Sequence, residues 1–142
     1  MSLGPCPVVH FEMPYRDAAR AARFYAEAFG WQMQQLGAEM GDYLLATTAS
    51  RDSSPAAPRG AINGGLFPFK ADWPMQHPSV VIGVEDIRAA MARIKAAGGD
   101  LLGEPMAIPG VGDYVSFVDT EGNRNSIIQP LMGEPAPCKE AQ

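Results

Sequence analysis

His10 and Glu12 stand two residues apart in Pro7-Val8-Val9-His10-Phe11-Glu12-Met13-Pro14, an apolar run bounded by prolines. Side chains on a strand alternate between faces, so Val8, His10 and Glu12 share one face while Val9, Phe11 and Met13 share the other. One face suits a core; the other brings an imidazole next to a carboxylate. Imidazole titrates near neutral pH and can pass a proton either way, which fits His10 for general-base work or metal ligation. A carboxylate facing apolar surroundings is costly unless paired, which marks Glu12 as the second catalytic candidate. The structural alternatives are a neutral buried His10 hydrogen-bonded across a sheet and a Glu12 at a wet strand end.

The pair Gly64-Gly65 lies inside Ala-Ile-Asn-Gly-Gly-Leu-Phe, a run that otherwise reads as a strand. Glycine weakens a strand unless a ligand or another backbone must come close, so Gly64 and Gly65 are candidates for ligand contact, with a bulge as the plain alternative. Arg124 presents a fork that matches a carboxylate, and alternation puts it on the face of Ser126 and Ile128. His77 falls in a proline-rich stretch and reads as an exposed linker histidine. Trp31 and Tyr114 read as core or cavity wall, as large aromatic residues usually do in a small domain. No nucleophile elbow, phosphate-binding glycine loop, dinucleotide fingerprint or HExxH pattern occurs.

The elements that must position these residues follow from the hydrophobic pattern. After the strand at 7–14, Asp17 is placed to cap a helix at 18–29, with Ala21, Phe24, Tyr25 and Ala28 at helical spacing and Gly30 as the stop. Strands are expected at 31–36, 43–48 and 61–67, with a loop at 49–60. Three prolines make 68–78 a linker. The same order then recurs: a strand at 79–84, Asp86 as cap, a helix with Ile87, Met91, Ile94 and Ala97 on one face, and Gly98-Gly99 as the stop. Strands at 100–104, 114–118 and 123–129 follow, with 105–113 and 119–122 as connections and an irregular tail from 131. This is a repeat of about 60 to 70 residues, which a paired two-module sheet accommodates and a solenoid does not.

The chain has 142 residues, 46% of them apolar, and a formal charge of -5. That length and composition suit one domain, 7–130, made of modules 7–67 and 79–130. The acidic balance, without any Lys/Arg run, argues against nucleic acid or an anionic membrane as partner and leaves a small molecule or a protein. No apolar run approaches the roughly 20 residues that span a bilayer, and the expectation is a cytoplasmic protein. Cys6 and Cys138 are read as free thiols, although spacing alone does not show whether they meet.

The runs VVHFEMPYRDAARAARFYAEAFGW and VEDIRAAMARIKAAGGDLL, with DTEGNRNSIIQ, resemble the vicinal oxygen chelate superfamily, which includes glyoxalase I, extradiol dioxygenases and bleomycin-resistance proteins. The resemblance implies an α+β fold: two tandem βαβββ modules forming a curved mixed sheet around a cup-shaped cavity, with a homodimer as the assembly. In metal-dependent members, four ligands come from the first and last strand of each module, typically His and Glu. Laid on this sequence, the first position falls on His10, the second near Gly64 or Gly65, the third on Ser79 and the fourth on Ser126. Glycine and serine are not ligands of that kind, so the family's divalent cation is expected to be absent. Ser79 and Ser126 would then hydrogen-bond a substrate carbonyl or hydroxyl. The leading expectation is a protein that binds a small organic molecule in a cup. Its rivals are a metal-dependent lyase, isomerase or dioxygenase using His10, Glu12 and His77, and a non-catalytic partner-binding module.

Overall fold

The computed structural model describes residues 5–49 and 61–131. Residues 50–60 of the loop expected at 49–60, and residues 132–142 of the tail expected from 131, Cys138 among them, lie outside the described residues. The chain divides into two compact units, one made of residues 9–79 and the other of residues 1–8 with 80–142.

In the first unit, β1 (Val8–Tyr15) alternates as its sequence requires, and Tyr15-Arg16-Asp17 leads into α1 (Ala18–Phe29). Asp17 Oδ1 accepts from the backbone N–H of Arg20 at 3.0 Å, satisfying one of the amides that a helix start leaves open. Gly30 closes the helix at φ 73°, a left-handed conformation that costs glycine little, and donates to Ala26 O at 2.9 Å. Strands β2 (Gln32–Gln35), β3 (Leu44–Thr47) and β4 (Asn63–Pro68) follow, with a short 3-10 turn at Ala38–Met40 in the 37–42 connection. The strand order is β2-β3-β4-β1, antiparallel except for the parallel β1–β4 pair, in which His10 lies opposite Asn63 and Glu12 opposite Gly65.

That register separates two faces. Phe11, Met13, Tyr15, Leu44, Ala46, Leu66 and Met33 face α1, where Ala21, Ala22 and Tyr25 meet them. Trp31 completes this core, lying parallel to Tyr25 with centroids 4.8 Å apart and tilted against Phe11 at 5.5 Å. Leu44 and Leu66, the largest side chains fully buried here, contribute about 1.5–3 kcal/mol each by leaving water. The opposite face carries His10, Glu12, Asn63, Gly65 and Leu45.

The second unit repeats the plan. β5 (Ser79–Gly83) leads to Asp86, whose Oδ1 accepts from Ala89 N at 3.0 Å and starts α2 (Ile87–Ala96). Then come β6 (Asp100–Leu101), β7 (Met106–Ile108), β8 (Gly112–Val118) and β9 (Arg124–Pro130). The order is β5-β9-β8-β6, with β5 parallel to β9 and the other pairs antiparallel, as in the first unit; β7 pairs β8 as an added hairpin. Ile87, Ala90 and Met91 of α2 pack on Val84, Val115, Phe117 and Ile127, with Ile94 and Cys6 against them.

Three expectations need correction here. Residues 105–113 are not a plain connection: Met106–Ile108 is a strand, too short between Pro105 and Pro109 to show a period, and it forms only by pairing with the start of β8. β8 accordingly begins at Gly112, whose φ of 151° and close approach to Gln129 O exclude a side chain. The strand expected at 100–104 stops at Leu101. Ala97, expected within the helix on one face with Ile87, Met91 and Ile94, is the exposed cap of α2, with Gly98 at φ 103° turning the chain away.

Candidate functional site

Tyr43, the residue before β3, reaches across the open face of the first unit. Its hydroxyl donates to Glu12 Oε2 at 2.8 Å and lies 2.9 Å from His10 Nε2. Since the phenol proton is directed to the carboxylate, the phenol oxygen accepts from His10 Nε2–H. The neutral imidazole therefore carries its proton on Nε2 and holds Nδ1 as an acceptor. No described residue is hydrogen-bonded to Nδ1, and no buried polar side-chain atom among the described residues is orphaned, so Nδ1 is open to a ligand. The His10 and Tyr43 rings are nearly parallel, at 20° with centroids 6.4 Å apart.

Gly65 explains how the phenol gets there. A Cβ at Gly65 would lie 2.0 Å from Tyr43 Cε2 and 2.3 Å from Cζ, so the ring occupies the volume a side chain would need. Gly64 plays the same part on the core face, where a Cβ would lie 2.5 Å from the Phe11 ring. The glycine pair thus admits two aromatic rings of its own unit, one on each face. Asn63, opposite His10, is committed to backbone: its Oδ1 accepts from Thr48 N at 2.7 Å and Ala49 N at 2.9 Å.

Burial pushes the His10 pKa below its ordinary 6.5 and outweighs the Glu12 carboxylate, which pulls the other way. A folded-state pKa below the unfolded one means that the unfolded chain binds the proton first as pH falls. The contribution of His10 to stability is therefore complete above the ordinary value and is lost as pH falls through the folded value. Urea unfolding followed from about pH 8 to about pH 5 should show this loss, and His10→Gln should remove it.

In the second unit the face away from α2 carries another polar series. Arg124 Nη2 donates to Ser116 Oγ at 3.4 Å, the Ser116 and Ser126 hydroxyls are 2.9 Å apart, and Ser126 Oγ donates to Tyr114 OH at 2.8 Å. Both serines are buried. Ser79 opens β5 and is half-buried. His77 is also half-buried, its Nδ1 donating to Pro78 O at 3.0 Å.

Of the residues picked out from the sequence, the structure joins His10, Glu12 and Gly65 in one group and Arg124 and Ser126 in another. Tyr43 and Ser116 escaped notice. The one available signal for Tyr43 was Gly65 itself, since a strand glycine implies a close neighbour; nothing in the sequence says that the neighbour is an aromatic ring from the next strand.

Among the described residues no three His, Cys, Asp or Glu side chains gather as a divalent ion requires. His10 Nε2 and Glu12 Oε2 are both engaged by Tyr43, and the remaining positions implied by the family resemblance hold glycine or serine. Open catalytic metal sites use about three protein ligands, so this donor set does not fit the cation.

The two units, a βαβββ unit and one that adds the β7 hairpin to that plan, each with a helix on one face of its sheet and a polar group on the other, define a small α+β protein of the tandem-module class. The sequence model of the Glyoxalase/Bleomycin resistance protein/Dioxygenase superfamily matches residues 8–127, and the chain belongs to that superfamily. It is 29% identical over 119 residues to a glyoxylase-like domain-containing protein of Didymella fabae, covering 82% of this chain and 88% of that one. It is also 29% identical over 129 residues to a probable lactoylglutathione lyase of Vibrio parahaemolyticus serotype O3:K6 (strain RIMD 2210633), covering 86% and 89%. Among solved structures, methylmalonyl-CoA epimerase in complex with methylmalonyl-CoA and NH4+ superposes with a TM-score of 0.64 at 19% identity, covering 91% of this chain and 97% of that one. That likeness concerns the fold.

Proposed function

We propose that this chain binds a small organic molecule on the His10 face of its first unit and moves a proton on it without a metal ion. The observation that carries the reading is the series His10–Tyr43–Glu12, with contacts of 2.9 and 2.8 Å. Burial disfavours an imidazolium at His10, so a base that simply kept the proton would be poor. The series removes that difficulty. As His10 Nδ1 takes a proton from the ligand, the Nε2 proton passes to the Tyr43 oxygen and the phenol proton passes to Glu12. The carboxylate is neutralised, the imidazole ends neutral with its proton on Nδ1, and the negative charge moves to the ligand. No buried cation forms at any stage.

The ligand class this suits is a small carbonyl compound with a C–H next to the carbonyl, whose conjugate base holds its charge on oxygen. The proposal includes a homodimer, as the family resemblance implies, and a cytoplasmic setting.

The test is deuterium incorporation from D2O, read by NMR or mass spectrometry, with chelator-treated protein. Lactoylglutathione and methylmalonyl-CoA, the compounds in the names of the Vibrio relative and the structural neighbour, begin the panel. Exchange by the wild type and none by His10→Gln is the expected result. Exchange that appears only on adding a divalent metal would contradict the metal-free reading, and no exchange with any carbonyl compound would contradict proton transfer.

A further inference from the structure

We infer that the second unit binds the carboxylate group of a small molecule through Arg124, backed by Ser116, Ser126 and Tyr114. The register β8–β9 places Val118 opposite Arg124 and Ser116 opposite Ser126, so all four side chains lie on the face away from α2, while Val115, Phe117 and Ile127 fill the core on the other.

Arg124 is half-buried, and among the described residues no carboxylate lies within ion-pair range of it. This is notable in a chain with 16 Asp and Glu against 11 Lys and Arg. Arg88, by contrast, meets Glu104 at 3.0 Å out in solvent, where such a pair contributes little. A guanidinium has five N–H donors; here one reaches Ser116 Oγ, and at 3.4 Å that contact is long. The planar fork therefore keeps the donors that a carboxylate takes two at a time.

The hydroxyls behind it are ordered to the same end. Arg124 donates to Ser116 Oγ and Ser126 donates to Tyr114 OH, so the Ser116 proton turns toward Ser126, and both serine O–H bonds point away from the cation. Such a row leaves acceptor lone pairs turned toward Arg124 and holds its side chain in place without neutralising it. Two serines at 6% and 3% exposure, where valine would suit a strand better, are a polar feature that packing alone does not call for. With a single cation and no second positive group in the row, the charge matched is that of a monoanion; phosphate would be half-compensated. This inference is independent of the proton-transfer reading, which concerns the first unit.

The experiment is an NMR titration of the whole protein at constant ionic strength, following the side-chain Nε–H signal that disappears in Arg124→Gln. Propanoate should shift this signal saturably in the millimolar range, and propanamide, its neutral analogue, should not. Ser116→Ala should weaken the propanoate response several-fold while leaving the amide spectrum of the first unit unchanged. A propanoate shift that stays linear, or an equal response to propanamide, would overturn the site. Tighter saturation by inorganic phosphate than by propanoate would overturn its assignment to carboxylates. The propanoate, propanamide and phosphate arms use the wild-type protein, and Arg124→Lys, which also removes the guanidinium signal, assigns it if Arg124→Gln does not fold.

Discussion

Tyr43→Phe, which removes one oxygen atom, is expected to slow proton transfer by about a hundred- to ten-thousand-fold, the range that a positioned acid–base group supplies. The ring stays, so the volume beside Gly65 stays filled; what goes is the bridge between His10 Nε2 and Glu12 Oε2. His10 would then have to hold an accepted proton as an imidazolium in a setting that already lowers its pKa. Stability should fall as well, by about 1–3 kcal/mol, because two partly buried polar groups each lose a hydrogen bond. The rate and the affinity separate this from a merely structural role: deuterium exchange should fall while saturation by the same compound shifts little. Equal losses in both, or none in the rate, would contradict the relay.

The second large effect is expected at Gly65. Its backbone is not in the positive-φ region, so an alanine there meets no conformational penalty, and space alone decides. The added Cβ would stand 2.0 Å from a ring carbon of Tyr43, a ring held at its hydroxyl by His10 and Glu12. One of those contacts must break. Gly65→Ala should therefore destabilise the chain by about 1–3 kcal/mol, as overpacking does, and lower exchange nearly as far as Tyr43→Phe. The cause is checked by a double-mutant cycle. In a Tyr43→Ala background the alanine has room, and most of its cost should vanish, giving a coupling of about 1 kcal/mol or more. Additive costs would mean that something other than the ring fills the volume beside Gly65.

These two residues also show how far the sequence could be read. Alternation in residues 7–14 was enough to assign Phe11 and Met13 to the core and His10 and Glu12 to the open face, because a period of two needs no partner to be seen. Asp17 and Asp86 gave the helix starts for the same reason, since a cap is local chemistry. The superfamily was legible too, from a few runs in each module. What escaped notice depends on contacts between strands distant in sequence. Tyr43 meets Glu12 across 31 residues and His10 across 33, and whether a tyrosine before a strand faces the core or the open side turns on register. Gly65 announced a close neighbour without naming it. Ser116 was invisible because its importance lies in pairing with Ser126 across β8 and β9. The β7 hairpin was hidden by its length, three residues between two prolines, too few for any pattern.

The central claim is that a phenol, and not a metal ion, links His10 and Glu12. It is tested most directly by elemental analysis of the purified protein, any tag removed, together with thermal unfolding of wild type and His10→Ala with and without divalent metals. A cation that binds only the native state must raise its apparent stability, so a metal centre at His10 has to register in this measurement. The account predicts no stoichiometric metal in the wild type and no stabilisation that depends on His10. Stoichiometric metal with a thermal shift that His10→Ala abolishes would contradict it.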